Sequence, residues 1–370
     1  MKVVFLIHSL SVGGAETVAV EYLIKLQERG CDVLLIEFFR SESFLYDRLE
    51  KANIKIITLC DNGRGFFAKV LRRLGQRFVI CKKLNSILRE ESPDILHIHT
   101  GLDCVADIKF DITKIFYSFH TSVARNLEVI GSRHKRAMLK YANKGMRFFV
   151  LSEAMKQDAI KVLPTDKIYV LPNGLDLDGI KNRTYERARL LSELGIPEDA
   201  FVLCHTARMH PVKNHLKTVS VFSEVVKKKP DSYLLLIGRT DCDILSRINA
   251  LTEKYGLTDK VKILGNRADA TAVMSVCNAM ILPSVTEGFS LVALEAQAFG
   301  LRCVLTDAVP DEVVCNDNCF KLSIDKSDEI WAEYILGDFT QKHLSKIEDL
   351  NIDVIIGTLI DHYDRALKSV

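Results

Sequence analysis

The chain has 370 residues, 48% of them apolar, which favours two or three domains with sizeable cores and leaves no tract to read as a disordered tail. Its ten cysteines are scattered and none forms a C-x2-C pair, so they read as reduced thiols, not as a disulfide framework or a zinc ribbon. The net charge of +2 hides an asymmetry: 27 Lys/Arg against 19 Asp/Glu up to Leu175 (net +8), then 23 against 29 (net −6).

The opening MKVVFLIHSL turns polar too soon for a secretory signal or a spanning helix, so a cytoplasmic protein is expected. Lys2 to His8 predicts a strand, Gly13-Gly14 a turn, and Ala15 to Arg29 an apolar-periodic helix closed by Gly30. Further strands are predicted at Asp32 to Phe39, Lys55 to Cys60, Ile95 to Thr100, Ile115 to Thr121, Phe148 to Ser152 and Ile168 to Leu171. Helical patterns separate most of them, the signature of a mainly parallel sheet covered on both faces. Between Arg64 and Arg89 the chain carries Arg64, Lys69, Arg72, Arg73, Arg77, Lys82, Lys83 and Arg89 without an acidic residue. Interleaved with Phe66, Phe67, Val70, Leu71, Leu74, Phe78 and Val79, they give an amphipathic pattern. It suits either an anionic membrane surface, peripheral on the inner face, or a solvated helix face with a core side. No nucleic-acid motif accompanies it.

Near Pro172-Asn173-Gly174 the alternation pauses, and Asp176 to Asn182 reads as a polar connection into a short helix at Arg183 to Leu194. The pattern then restarts, with strands at Phe201 to Thr206, Tyr233 to Ile237, Lys260 to Leu264, Ala279 to Leu282 and Arg302 to Thr306, and a helix at Asn214 to Lys228. The expected fold class is α/β, two Rossmann-like doubly wound domains, residues 1–175 and 176–352, with a terminal amphipathic helix over 353–370. Ligands of such sheets bind beyond the carboxyl ends of the strands, which places the expected site in a cleft between the domains.

Two stretches carry chemistry. In Ala279 to Ala298 a short strand, a turn with Glu287, Gly288, Phe289 and Ser290, and a helix starting near Leu291 follow in sequence, with Glu287 and Glu295 bracketing the turn. Two carboxylates at that spacing would face one crevice at different depths, beside uncapped N–H groups suited to an anion. In Arg208-Met209-His210-Pro211-Val212-Lys213-Asn214, a guanidinium and an ammonium follow a strand end, where they can converge on the mouth of the sheet and stabilise negative charge.

Glu287 and Glu295 resemble the E-x7-E motif of retaining GT-B glycosyltransferases, and Arg208 and Lys213 resemble the donor-diphosphate pair of the GT4 type. The resemblance spans nearly the whole chain. It implies a retaining hexosyltransferase that uses a nucleotide-sugar donor, UDP by family frequency, in synthesis of bacterial capsular, exopolysaccharide or lipopolysaccharide chains. Residues 1–175 would hold a saccharide acceptor, lipid-linked if the basic segment meets a membrane, and residues 176–352 the donor. Residues 353–370 would cross back to the first domain. The same resemblance gives Glu295 the ribose hydroxyls and Glu287 the hydroxyls of the transferred sugar. Gly288, Phe289, Ser290 and Leu291 would line the donor site, Gly13 and Gly14 would let phosphate or acceptor approach, and His120 would lie near the donor sugar. Many relatives carry proline where this chain has Ser290. The catalytic set implied is Glu287, His120, Arg208 and Lys213, with no cofactor and no metal. Asp241-Cys242-Asp243 imitates a metal-binding D-x-D but reads as a helix start, His97 and His99 share a strand face without a third ligand, and Cys315 and Cys319 lack partners for a metal. Asn173-Gly174-Leu175-Asp176 resembles a family hinge, with Asp176 as a cleft residue. The alternatives are an epimerase of the same fold, for which the acids and bases beyond His120 and the glutamates are not found, and a noncatalytic nucleotide-sugar-binding partner.

Overall fold

The computed structural model describes residues 1–11, 13–60, 76–100, 108–340 and 346–368, the side chains of 76–78, 125 and 129 apart. The chain forms two units, Met1–Gly174 with Ile352–Val370, and Leu175–Asn351.

In the first unit seven strands, β1 (Lys2–Ile7), β2 (Asp32–Phe39), β3 (Lys55–Cys60), β4 (Ile95–Ile98), β5 (Ile115–Ser118), β6 (Arg147–Val150) and β7 (Ile168–Val170), form one sheet in the order β3-β2-β1-β4-β5-β6-β7. Each neighbour pair is parallel. The central strands are unbroken apolar runs because helices cover both faces, and Val3 to Ile7 have no exposed surface. β4 and β5 end earlier than the sequence pattern suggests, which leaves His99 and His120 in the loops beyond them. The first helix, α1 (Gly14–Glu28), starts directly after the β1 loop, with Gly13 at its N-cap.

The basic segment is described only in its later part, helix α2 (Gln76–Glu91). Here Ile80, Cys81, Leu84, Ile87 and Leu88 are buried, and Lys83 Nζ donates to the carbonyls of Thr58 (3.0 Å) and Leu59 (3.1 Å). The apolar face of this part therefore belongs to the core, and Lys82 is exposed. Arg64, Lys69, Arg72 and Arg73, and the side chain of Arg77, lie outside the described residues. No described helix is long and apolar enough to cross a membrane.

The last helix (Ile352–Lys368) packs in the first unit through Ile352, Ile355, Ile356, Leu359, Tyr363 and Ala366, a stripe at helical spacing. Gly174 is required there for close approach, since a Cβ would lie 2.8 Å from Ile352 Cα.

The second unit has six parallel strands, β8 (Phe201–Thr206), β9 (Ser232–Ile237), β10 (Val261–Gly265), β11 (Ala279–Leu282), β12 (Arg302–Thr306) and β13 (Cys319–Leu322), in the order β10-β9-β8-β11-β12-β13. Sequence patterning misses β13: four residues with a lysine among them carry too little periodicity. Cys319 is a strand residue in register with Cys303. The stretch read as a polar connection holds a short helix, Leu177–Lys181, because the Asp176 side chain accepts from Gly179 N at 2.9 Å and caps it. Asp241 caps its helix (Cys242–Lys254) in the same way, accepting from the N–H groups of Asp243 (3.1 Å) and Ile244 (3.2 Å).

Candidate active site

β8 and β11 are neighbours where the strand order of the second sheet reverses, so the segments leaving their carboxyl ends emerge side by side. This geometry lets residues far apart in sequence meet. From β8 the chain passes exposed Arg208 and buried Met209 into a turn of 3-10 helix, Pro211–Lys213. His210 Nδ1 accepts from Val212 N at 3.3 Å, and Asn214, in the left-handed region with φ 54°, redirects the chain into the helix His215–Lys228. Val285 N donates to the Val212 carbonyl at 2.8 Å and stitches this loop to the one after β11.

Across that seam Lys213 Nζ donates to Glu287 Oε1 at 2.6 Å. The Glu287 side chain is 7% exposed and that of Lys213 23%, so the carboxylate is nearly withdrawn from water while the ammonium keeps an open side. Behind the loop the rings of His205 and His215 stack at 4.2 Å. Burial holds His205 well below the ordinary imidazole range and lowers His215 to about 4, and the charge of Lys213 acts in the same direction. Both are neutral at pH 7 and add no positive charge beneath Lys213.

Arg208 makes no hydrogen bond or ion pair among the described residues, so of the two predicted cations only Lys213 is fixed to a partner. Its backbone is nonetheless pinned. Ala207 N donates to the Ile237 carbonyl (2.8 Å) and Met209 N to that of Arg239 (2.7 Å), and Gly238, at φ 141°, has the Ala207 carbonyl and Arg208 N where a Cβ would stand. Sequence reasoning missed Gly238, for which a glycine ending a β-strand was the only signal.

Glu295 lies in the helix Leu291–Ala298 and accepts from Thr271 Oγ1 at 3.1 Å through Oε2. The two glutamates thus have different partners, Lys213 for one and Thr271 for the other. Phe289 and Ser290 are buried, and Ser290 occupies the N-cap position without its hydroxyl capping the helix. Buried Gln297 braces the same helix, accepting from the N–H groups of Cys315 (2.8 Å) and Asn316 (3.0 Å) and donating to the Val313 carbonyl (2.7 Å).

In the first unit Gly13 is extended, with φ −162°, and Gly14 has open space where a Cβ would be. Glu16 Oε2 lies 2.5 Å from the position of a Gly13 Cβ, so a carboxylate already faces the positive end of α1. His120 follows β5 as a half-buried residue whose Nδ1 is shielded, and its Nε2 lies 3.3 Å from His99 Nδ1. The His99 ring packs 4.2 Å from that of His97, whose Nδ1 meets the Tyr363 hydroxyl (2.5 Å) and whose Nε2 meets Ser118 Oγ (2.8 Å). Burial lowers His120 to about 4 and holds His97 and His99 well below the ordinary range. Among the described residues no three His, Cys, Asp or Glu side chains are placed to share a metal ion.

Two family models match the chain, Glycosyltransferase Family 4 over residues 12–179 and Glycosyl transferases group 1 over residues 186–336. The chain belongs to these glycosyltransferases. This glycosyltransferase is 27% identical over 309 residues to N-acetyl-alpha-D-glucosaminyl L-malate synthase of Bacillus anthracis, covering 80% of the chain and 76% of that enzyme. To the UDP-Gal:alpha-D-GlcNAc-diphosphoundecaprenol alpha-1,3-galactosyltransferase of Escherichia coli it is 26% identical over 270 residues, 67% of each. With EpsF of Bacillus subtilis it shares 28% identity over 171 residues, and the chain spans only 44% of that protein's length. Among solved structures, Anabaena HepE in complex with UDP and glucose matches over 100% of this chain and 99% of that one, with a TM-score of 0.74 and 18% identity. WaaG, a glycosyltransferase involved in lipopolysaccharide biosynthesis, matches over 98% and 95%, with a TM-score of 0.67 and 16% identity. At such identities these matches establish the GT-B fold of two parallel-sheet α/β domains and nothing finer.

Proposed function

We propose that the chain transfers a hexose-type sugar, with retention of configuration, from a UDP-sugar to a lipid-linked saccharide in the synthesis of bacterial surface polysaccharide. The observation that carries this reading is the Lys213–Glu287 contact, which joins the two chemistry-bearing loops at the reversal point of the second sheet. Lys213 and Arg208 bind the donor diphosphate and stabilise the charge that grows on it as the glycosidic bond breaks. Glu287 holds Lys213 in place and accepts from hydroxyls of the sugar, while Glu295, steadied by Thr271, accepts from the ribose. Gly288, Phe289, Ser290 and Leu291 line the donor site. The acceptor attacks from the face the diphosphate leaves, and a leaving-group oxygen takes its proton, so no protein nucleophile is needed. Gly14 has room for a ligand, and the Glu16 carboxylate beside it favours an acceptor hydroxyl over a phosphate at the Gly13-Gly14 loop. The galactosyltransferase relative supports the lipid-linked acceptor and the UDP donor, since its name gives both. The activity is metal-independent and cytoplasmic, on the inner face of the membrane.

The test is transfer of labelled sugar from UDP-sugars to undecaprenyl-diphosphate saccharides in the presence of a chelator, with the product's anomeric configuration read by NMR. An α-linked product from an α-linked donor is expected. An inverted product, or transfer only with added divalent metal, would overturn the mechanism.

A further inference from the structure

The two oxygens of the Glu287 carboxylate are used differently. Oε1 accepts from Lys213 Nζ at 2.6 Å, while Oε2 makes no hydrogen bond among the described residues. The side chain is 7% exposed, so water screens its charge poorly. His210 apart, the charged side chains of the two loops are Arg208, Lys213 and Glu287. His205 and His215, stacked behind, are neutral at pH 7. Two cations against one carboxylate leave the loops a single positive charge.

Any anion that Lys213 binds meets this arrangement. Each partner of a charge-assisted hydrogen bond lies about 2.7–2.9 Å from the nitrogen, so an oxyanion on the ammonium stands no more than about 5.5 Å from Oε1. Like charges that close, one of them nearly withdrawn from water, repel by enough to change affinity about tenfold. The cost depends on how much charge the ligand places there. A terminal phosphate has a second ionisation at a pKa of about 6, so a nucleoside diphosphate ends with about one more negative charge at pH 7 than the same diphosphate joined to a sugar. It also lacks the hydroxyls of the sugar, donors that Oε2 can accept from.

We infer that Glu287 separates donor from product: it accepts from a hydroxyl of the bound sugar and, after transfer, repels the terminal phosphate left on the nucleotide and speeds its release. Transfer breaks the sugar–phosphate bond with the electron pair staying on the phosphate. The acceptor's proton passes from that phosphate to water at pH 7, so the extra charge belongs to the product alone. The inference rests on the donor reading above, in which Glu287 meets the sugar, and it lies wholly within the second unit.

The test is calorimetric titration of the metal-free full chain at pH 7 with UDP and with UDP-glucose, in the wild type, Glu287→Gln and Glu287→Ala, with thermal unfolding used to select folded proteins. Glutamine keeps an acceptor for Lys213 and removes the charge, and alanine removes both. UDP is expected to bind about tenfold more tightly in Glu287→Gln and to tighten in Glu287→Ala as well, with UDP-glucose binding no more tightly than in the wild type. A carboxylate that only held Lys213 in place would give the opposite sign, weaker UDP binding on its loss. UDP affinity unchanged or weaker in folded Glu287→Gln, or a tightening shared by UDP-glucose, overturns the inference and leaves the donor reading standing. Absence of binding by UDP and UDP-glucose in all three proteins overturns the donor reading and this inference with it.

Discussion

Replacing Lys213 by methionine keeps most of the stem and removes the ammonium that Glu287 holds at 2.6 Å. The carboxylate is 7% exposed, so the variant strands a charge that water reaches poorly, whereas the 23% exposure of Lys213 means part of the attraction is already screened. A charge-assisted hydrogen bond of this burial contributes about 2 kcal/mol. Spread over a unit of this size, that loss lowers its unfolding midpoint by about 4–8 °C. Glu287→Met removes the same bond from the other side, and the double variant should cost about as much as either single one, with a coupling energy of about 2 kcal/mol. Denaturant unfolding of the four proteins measures this directly. Losses that add within about 0.5 kcal/mol would refute the claim that the two loops are locked by this contact. Turnover is expected to drop more steeply, about 100-fold or more in Lys213→Met, because the cation acts on charge that develops only as the diphosphate departs.

Gly238→Ala places a methyl group against the Ala207 carbonyl at a positive φ, and should destabilise the second unit by about 2–3 kcal/mol and weaken nucleotide binding together, as read by thermal shift with and without UDP. Thr271→Val removes the donor to Glu295 and should raise the dissociation constant for UDP about threefold, against more than tenfold for Glu295→Ala; calorimetry separates the two. His120 is pushed down to about 4, below its unfolded value near 6.5, so the unfolded chain binds the extra proton between those values. The stability from keeping this ring neutral is therefore complete above about pH 6.5 and is lost as pH falls toward 4, with buried His97, His99 and His205 acting in the same sense. Urea midpoints across pH 4 to 8 should fall steadily below pH 6.5, and less steeply in folded His120→Gln.

The strand and helix alternation of both halves is legible in the sequence because parallel strands buried on two faces need continuous apolar runs, as in Phe5 to Ile7 and Ala279 to Leu282. Glu287 and Lys213 stand out in the sequence as charged groups beside glycine and proline in segments that follow predicted strands, which marks them as candidates and does not give their roles. Their contact is not legible there, because it depends on β8 and β11 lying side by side, a matter of sheet order that no local pattern contains. His99 was visible only as the strand-face partner of His97, since its meeting with His120 runs between two loops after different strands. In the described part of the basic run, α2, the apolar side chains of Ile80, Leu84, Ile87 and Leu88 face the core, a neighbour that periodicity alone cannot tell from a lipid surface, and residues 61–75 of the run lie outside the described residues.

The central claim is that the second unit binds a nucleotide-sugar donor, its diphosphate through Arg208 and Lys213 and its ribose through Glu295, and its most direct test is calorimetric titration of the metal-free protein with UDP. One-to-one binding, weakened in Arg208→Ala and in Glu295→Ala without loss of fold, is the predicted result. Absence of binding to UDP, GDP, ADP and dTDP alike would contradict it.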